Sequence, residues 1–239
     1  MSDQQAVTEM FDDISHRYDF LNHLLSFRID RRWRRKTSLW VAKHQPMDIL
    51  DIATGTADLA IRMAKDMPSA TIIGVDLSKK MLEIGKRKII QKQLDQRIRL
   101  ETADAARLPF KDNCFDAVTA AFGVRNFEHL EQGLLEMSRV AKNDGVIAIL
   151  EFSHPKNGLY RFYSRHILPL IGRVVSKHPS AYRYLPDSIE AFPEAGAFME
   201  LLKNNGLTEV GMQQLNGGIV SLYHGRVKKS PFHHNKEAS

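Results

Sequence analysis

The sequence contains little cysteine and no long apolar run. Its 239 residues include a single cysteine, Cys114, which excludes a framework of disulfides and a cysteine-based zinc site. No apolar stretch approaches the ~20 residues that a helix needs to cross a bilayer, and the first residues lack the basic and apolar regions of a signal peptide. We therefore expect a cytoplasmic protein that is not integral to a membrane, and we expect no metal site.

A complete glycine-rich phosphate loop is also missing. Residues 49–60 combine an apolar run that ends in Asp51, a turn of small residues around Gly55, and an apolar helical pattern that opens at Asp58. That order predicts a strand, a tight turn and a helix, as in a nucleotide-binding βαβ unit. The glycine spacing differs from that of a phosphate clamp, and the two carboxylates would repel phosphate. The turn therefore favours a cationic ligand without phosphate, and S-adenosylmethionine (SAM), which carries a sulfonium, fits.

The next apolar run supports this interpretation. Residues 71–76 are rich in β-branched side chains and end in Asp76, close to the distance from the turn at which a ribose-binding acid is expected. One carboxylate can accept hydrogen bonds from both ribose hydroxyls, which would fix an adenosine at the carboxyl edge of the sheet. Aspartates also serve as simple caps, but two of them around such a turn favour a binding site that includes Asp51, Gly55 and Asp76.

Strand and helix patterns alternate from about residue 46 to residue 152, which predicts a doubly wound α/β sheet. We divide the chain into an N-terminal helical cap (residues 1–45) and an α/β domain (46–229). An insertion rich in aromatic residues and arginine, at about 153–198, precedes the last strands. The two closing strands follow one another closely, which indicates an antiparallel hairpin at the sheet edge. The polar residues 230–239 are predicted to form a disordered tail.

The net charge of +6 is concentrated in one short segment. Six basic residues lie between Arg28 and Lys36, and apolar residues that include Trp33 and Trp40 recur there at roughly helical spacing. A basic amphipathic helix with an aromatic anchor suits an anionic membrane surface. A helix that packs its apolar stripe on the fold and leaves a basic face in solvent is an equal alternative, and nucleic acid is a third partner to consider.

Several motifs, in order along the chain, resemble those of one family. They include Phe11-Asp12-x-Ile14-Ser15-x-Arg17-Tyr18-Asp19, Asp51-x-Ala53-x-Gly55-Thr56-x-Asp58, Leu108-Pro109-Phe110, Phe122-Gly123-Val124-Arg125-Asn126 and Ser180-Ala181-Tyr182-Arg183-Tyr184-Leu185. From Met10 to about Val227 the chain resembles the ubiquinone/menaquinone biosynthesis C-methyltransferases, a branch of the class I SAM-dependent methyltransferases. The resemblance implies a Rossmann-like, mostly parallel sheet of seven strands, and an enzyme that uses SAM as methyl donor.

The resemblance also implies which residues contact SAM. They are Thr56, Asp76, Asp104, Ala105 and Ala121. Two positions depart from the family pattern. Ala57 stands where glycine is usual, which a negative φ would tolerate. Ala121 stands where many members have serine, so a side-chain hydrogen bond is lost there and the backbone must serve.

The implied substrate is a polyprenylated quinol that is methylated on a ring carbon. We expect demethylmenaquinol rather than a benzoquinol, because the chain is compact and lacks a mitochondrial-type targeting sequence. The open alternatives are a non-catalytic scaffold that binds SAM or quinone, and a methyltransferase of another hydrophobic phenol. A base methyltransferase would carry an Asn/Asp-Pro-Pro-aromatic motif where this chain has Ala120-Ala121-Phe122-Gly123, so we expect no nucleic-acid partner. We expect peripheral association with the inner face of a membrane, and a homodimer or a biosynthetic complex.

A neutral quinol carbon is a poor nucleophile, so the ring hydroxyl must lose its proton during transfer. A phenol has a pKa near ~10, and holding the phenolate at pH 7 therefore costs about 4 kcal/mol. Arg125, which follows the ligand-facing end of the fourth strand, is the candidate cation for the oxyanion. Asn126 can orient a hydroxyl or a water. A salt bridge within the loop is the alternative for Arg125.

A base must accept the quinol proton. His154, just after the fifth strand, is the first candidate, although a lone histidine is more often a structural hydrogen-bonding residue. His16, Asp104 and a water activated by the Arg125–Asn126 pair are the alternatives. Three residues of the insertion are candidates for contacting the quinol head, with packing in the core as the alternative: Tyr182, Arg183 and Tyr184.

Overall fold

Seven strands and the helices between them form the part of the chain that the computed structural model describes: residues 7–10, 12, 13, 15, 29–154 and 179–229, with the backbone alone at 179–183 and 185. The strands are β1 (Asp48–Ile52), β2 (Thr71–Asp76), β3 (Ile98–Thr102), β4 (Phe115–Ala121), β5 (Ala141–Phe152), β6 (Leu207–Leu215) and β7 (Val220–Val227). The helices are α1 (Asp30–Ala42), α2 (Asp58–Asp66), α3 (Lys79–Gln91), α4 (Leu130–Val140), α5 (Pro179–Ala191) and α6 (Ala195–Asn204). Short 3₁₀ turns lie at Val124–Asn126 and Asn216–Gly218.

The strands form one sheet in the order β3-β2-β1-β4-β5-β7-β6. The first five strands run parallel, and β7 pairs antiparallel with both β5 and β6. The predicted doubly wound sheet and its antiparallel closing hairpin are therefore confirmed. The direction of winding reverses between β1 and β4, and ligands of such sheets bind beyond the carboxyl ends of the strands at that point.

Both faces of the central strands are buried, which explains why these strands read as continuous apolar runs. Along β1, Ile49 belongs to one apolar layer, whereas Leu50 and Ile52 belong to the layer on the other side. Parallel strands joined by helices need this covering on both faces. Among the described residues, the helices are all too short or too polar to cross a membrane.

Helix α1 covers the sheet with the aromatic stripe that the sequence indicates. Trp33 is 5% exposed. Its ring lies 6.0 Å from that of Phe122, centroid to centroid, and its indole nitrogen donates to Asn216 Oδ1 at 2.8 Å. The Trp40 ring stacks on that of His224 at 4.5 Å. Both tryptophans thus pack on the protein, Trp33 buried and Trp40 partly buried, so the predicted aromatic anchor faces the fold. The alternative, a packed stripe with a basic face in solvent, describes this helix.

The predicted domain boundaries are only partly covered by the described residues. Of the helical cap at 1–45, the structure describes seven residues before residue 29 and all of α1. Most of the insertion at 153–198 and the whole tail at 230–239 lie outside the described residues. Within the described residues, β5 begins at Ala141, directly after α4, and its register against β4 is irregular between Phe115 and Ala117.

Candidate active site

A pocket lies beyond the carboxyl ends of β1, β2 and β4. It encloses about 880 Å³ of space, part of which is open to solvent. Its lining includes five of the residues that the sequence predicts to bind cofactor, together with Asn126: Gly55, Asp76, Asp104, Ala105 and Ala121. Val7 and Thr8, from the N-terminal segment, complete one wall. The sheet topology thus brings together residues that are far apart in the sequence.

The pocket is acidic. Asp76, Asp104 and Glu128 line it, and within the described residues its lining contains neither lysine nor arginine. A phosphate would meet neither lysine nor arginine among these lining residues, whereas the sulfonium and amino groups of SAM would meet carboxylates. The donor and acceptor set therefore fits SAM, as the small, acidic turn after the first strand predicts.

Asp76 ties two loops of the pocket together. The backbone N–H of Gly55 donates to its Oδ2 at 2.8 Å, and the N–H of Ser78 donates to its Oδ1 at 2.9 Å. Burial raises the pKa of Asp76, and these backbone hydrogen bonds oppose that shift. Each oxygen keeps a second lone pair with which it can accept from a ribose hydroxyl. The position supports the ribose-binding role that the sequence indicates.

Asp51 lies behind the pocket rather than in its wall. It is 1% exposed, and it accepts hydrogen bonds from the hydroxyls of Thr54 at 2.6 Å and Thr119 at 2.7 Å. Burial raises the pKa of Asp51 to about 6, although both hydroxyls lower it. Sequence reasoning missed the two threonines. The pairing of β1 with β4 accounts for one of the two threonines, because it makes Asp51 and Thr119 direct neighbours on adjacent strands.

The backbone around the pocket is strained at residues other than glycine. Ala53, Ala57 and Phe122 have φ of 50°, 65° and 60°, a left-handed conformation that costs roughly 1–2 kcal/mol for a residue with a Cβ. The expectation of a negative φ at Ala57 is therefore wrong. The fold tolerates the alanine there at a cost in backbone conformational energy. A Cβ at Gly123 would lie 2.4 Å from that of Ala53, so close backbone approach requires glycine there.

Thr56 is held by helix α3. Its side chain is buried at 3% exposure, and its hydroxyl accepts from Lys88 Nζ at 3.1 Å. Lys88 also forms an ion pair with Asp58. Thr56 is not in the pocket lining, so the structure does not bring this predicted SAM contact into the pocket wall. Lys88 joins the turn after β1 to α3 and thereby fixes its conformation.

Arg125 is buried in a polar network beside the pocket. Its side chain is 5% exposed, and its Nη1 lies 2.8 Å from Oε1 of Glu151, whose side chain is fully buried. The same nitrogen donates to the carbonyl of Phe122 at 2.5 Å, and Nε donates to Ser188 Oγ at 3.2 Å. The ion-pair partner of Arg125 is thus Glu151 on β5 rather than a residue of its own loop. Sequence reasoning missed Glu151 and Ser188 as parts of this site.

The other predicted catalytic and substrate residues lie around this network. Asn126 lines the pocket and accepts from the Tyr184 hydroxyl at 2.8 Å. Burial raises the pKa of Tyr184, so the hydroxyl keeps its proton and stays a donor. His154 Nε2 lies 2.6 Å from the carbonyl oxygen of Phe192. His16 and the side chains of Tyr182 and Arg183 lie outside the described residues.

Comparisons with known proteins find relatives over nearly the whole chain. The model of the ubiE/COQ5 methyltransferase family matches residues 1–228. A demethylmenaquinone methyltransferase of Bacteroides fragilis is 41% identical over 223 residues, which cover 92% of this chain and 91% of that protein. The ubiquinone/menaquinone biosynthesis C-methyltransferase UbiE of Geotalea uraniireducens is 45% identical over 226 residues, which cover 92% and 96%.

A solved structure supports the fold. A SAM-dependent methyltransferase from Thermotoga maritima superposes with a TM-score of 0.63 at 18% sequence identity, over 92% of this chain and 99% of that one. At this identity the likeness extends to the fold, while the family follows from the match over nearly the whole sequence. The chain belongs to the ubiE/COQ5 methyltransferase family, and SAM is its methyl donor.

Proposed function

We propose that the chain transfers the methyl group of SAM to a ring carbon of a polyprenylated quinol, with demethylmenaquinol as the favoured substrate. The observation that carries this proposal is an acidic pocket at the switch point of the sheet, in a chain that is 41% identical to a demethylmenaquinone methyltransferase. The open mouth of the pocket suits a substrate whose long apolar tail stays outside it.

Bound SAM supplies an activated methyl group, so the residues of the chain must hold the donor, present the acceptor carbon in line and exclude water. We assign the ribose hydroxyls to Asp76 and the amino-acid end to the backbone around Gly55. Asp104 and Ala105, which follow β3, are assigned to the adenine end, and Ala121 contributes backbone. Asp51 supports this set from behind, through Thr54.

Asn126 is the residue that we assign to the quinol hydroxyl. It lines the pocket, and the Tyr184 hydroxyl bonded to its Oδ1 fixes the orientation of its amide, which leaves Nδ2 directed to donate to a substrate oxygen. Arg125 stands directly before it in the same 3₁₀ turn. The pairing with Glu151 balances the charge of Arg125, which supports a positioning role for this arginine rather than contact with the oxyanion.

Asp104 is the described candidate base that lines the pocket. Its Oδ1 accepts from the backbone N–H of Ala106 at 2.9 Å, which orients the carboxylate. His154, by contrast, is engaged with the carbonyl of Phe192. Asp104 is, however, assigned to the adenine end of SAM, which the ribose separates from the methyl group. We therefore propose that the quinol proton leaves to solvent through a water held by Asn126.

The reaction is tested by incubating the purified chain with methyl-labelled SAM and two short-chain demethylated quinols, one naphthoid and one benzoid, under reducing conditions. We expect label on a ring carbon of the naphthoquinol. Label on the benzoquinol alone would overturn the assignment of the ring. Label on neither quinol, while SAM still raises the melting temperature of the protein, would favour the non-catalytic scaffold.

We also propose that the outer face of α1 brings the enzyme to an anionic membrane surface, where a polyprenylated substrate resides. Arg31, Arg32, Arg35 and Lys36 are exposed on this face, and Leu39 is 44% exposed beside them. The inner face packs Trp33 against Phe122, which lines the pocket. A basic helix face near the pocket supports peripheral binding by charge, with one leucine at the lipid surface.

Membrane binding is tested with vesicles of phosphatidylglycerol and phosphatidylcholine. Each basic side chain near an anionic surface contributes about 1 kcal/mol, so changing both Arg32 and Lys36 to glutamine is expected to weaken the partition roughly 30-fold. The matched control changes Lys86 and Arg87, which are exposed on α3, to glutamine. Cosedimentation at two salt concentrations gives the partition. Equal loss in both variants would mean that net charge, rather than this helix face, drives the binding.

A further inference from the structure

A short helical segment near the N-terminus closes one wall of the pocket. Its described residues, 7–10, 12, 13 and 15, are helical, and Val7 and Thr8 line the pocket. Residues that are three and four positions apart share a helix face, so Thr8, Asp12 and Ser15 point the same way. Ser15 is buried, whereas Asp13 is exposed. One face of the segment is therefore turned towards the pocket and the loop after β2.

Asp12 joins this segment to the loop that holds Asp76. The hydroxyl of Ser78 donates to Asp12 Oδ1 at 2.5 Å, and the same oxygen of Ser78 accepts from the backbone N–H of Met81 at 3.2 Å. The backbone N–H of Ser78 donates to Asp76. A continuous chain of hydrogen bonds thus runs from the carboxylate assigned to the ribose to the carboxylate of the N-terminal segment.

The surroundings make this contact stronger than an ordinary surface hydrogen bond. Ser78 is 2% exposed and caps the N-terminus of α3. A carboxylate at that end of a helix is favoured by the helix dipole, and a hydrogen bond to an ionised acceptor is about twice as strong as a neutral one. Asp13, one residue further on, faces Lys80 at 3.9 Å, with both side chains about half exposed. Such a pair contributes little.

We propose that Asp12 is a positioning residue of the SAM site: its hydrogen bond to Ser78 holds the N-terminal segment closed over the bound methyl donor and slows its release. This inference rests on the assignment of the pocket to SAM. It gives the N-terminal segment a function that is separate from methyl transfer, because Asp12 acts on the residence of the donor and not on the acceptor carbon.

The test compares Asp12→Ala with Asp13→Ala in the full chain. The two changes remove one carboxylate each from the same helical turn, but only the first removes the bond to Ser78. We expect Asp12→Ala to raise the dissociation rate of labelled SAM, in a chase with unlabelled SAM, by about tenfold. The KM for SAM should rise by a similar factor while kcat changes less than about twofold. Asp13→Ala should leave both the rate and the KM close to those of the wild type.

If Asp12→Ala folds poorly, a second variant tests the same hydrogen bond. Ser78→Ala removes the donor of the same hydrogen bond, and in a chain that carries Ser78→Ala the Asp12→Ala change should add little, because the two residues share one interaction. Equal dissociation rates for Asp12→Ala and the wild type would overturn the proposal, as would equal effects of the two aspartate changes. Failure of the wild type to bind SAM would instead refute the assignment of the pocket.

Discussion

Replacing Arg125 with alanine is expected to destabilise the fold by about 3–5 kcal/mol, because it leaves a buried carboxylate without its partner. Glu151 is 0% exposed, and the Arg125 guanidinium lies 2.8 Å from it. Removing the arginine also removes the hydrogen bonds to the Phe122 carbonyl and to Ser188. Urea unfolding followed by circular dichroism measures the loss. A change below about 1 kcal/mol would mean that water or another cation already compensates Glu151.

The double variant Arg125→Ala with Glu151→Gln provides the control for stability. Neutralising Glu151 removes the uncompensated charge, so the double variant should lose less stability than the sum of the two single changes. If the loss in free energy of unfolding of the double variant equalled the sum of the two single losses, the buried ion pair would not be the source of the loss. The same variants separate a positioning role for Arg125 from contact of this arginine with the oxyanion.

Glu151→Gln leaves the guanidinium in place but removes the charge that balances it. If Arg125 held the oxyanion directly, this change would preserve methyl transfer or raise it. If Arg125 positions the 3₁₀ turn that carries Asn126, the change should lower kcat. A displacement of Asn126 by about 1 Å would lower it roughly 100-fold. We expect the second result, with SAM-dependent thermal stabilisation retained in both single variants. A kcat of Glu151→Gln at or above the wild-type value would restore the oxyanion role.

Ionisation of Asp51 is expected to lower the free energy of unfolding by about 3 kcal/mol as the pH rises to 7, and replacing Asp51 with asparagine should remove this loss. Burial raises the pKa of Asp51 from 3.8 to about 6 in the folded chain. Between these two values the folded state binds a proton that the unfolded state lacks, so the contribution of Asp51 favours folding at low pH. That contribution is lost as the pH rises through 6. At pH 7 the ionised carboxylate therefore costs stability, and asparagine avoids the cost.

The difference between wild type and Asp51→Asn isolates this group from others that titrate in the same range. Five of those others have a lowered pKa and lower stability as the pH falls: the carboxyls of Asp66, Asp116 and Glu136 and the imidazoles of His44 and His224. Asp76, whose pKa burial raises, acts in the same direction as Asp51. All six are present in both proteins. The free energy of unfolding should be measured from pH 4 to pH 7, with exposed Asp95→Asn as the control. Parallel curves for wild type and Asp51→Asn would refute the prediction.

The same variant should bind SAM less well at pH 7. Asp51 lies behind an acidic pocket and accepts the hydroxyl proton of Thr54, at the start of the loop that includes Gly55. Asparagine removes one negative charge from the surroundings of a cationic ligand. Its side chain has only one acceptor oxygen, so it cannot accept hydrogen bonds from Thr54 and Thr119 on two separate oxygens as Asp51 does. Greater stability with weaker binding would show that the buried carboxylate is kept for function.

The sequence could predict those features that depend on neighbours along the chain. The alternation of apolar runs and helical patterns predicted the sheet, and the position of Asp76 at the end of a strand placed it at the pocket. Asp104, Ala105 and Ala121, implied by the family motifs, also line the pocket. In a parallel sheet the carboxyl ends of the strands share one edge, so the end of a strand in the sequence is enough to locate a residue.

Contacts between distant residues could not be predicted in this way. The sequence around Trp33 is equally typical of a membrane anchor and of a core residue. The hydrogen bond that places Trp33 in the fold is to Asn216, which lies 183 positions away in the sequence. The positive φ of Ala57 depends on the turn as folded, and the sequence shows only an alanine in place of a glycine. Spacing along a helix fixes which residues share a face but leaves open what that face meets.

The amino-acid sequence by itself determined the doubly wound sheet, the acidic turn after β1, the family and SAM as the donor. Tertiary structure alone decided that Asp51 is withdrawn behind the pocket wall, that Arg125 is paired with Glu151, and that Asn126 meets Tyr184. The physical reason is that strand and helix follow from local periodicity. The partner of a buried charge depends on which elements, here 26 residues apart for Arg125 and Glu151, pack around it.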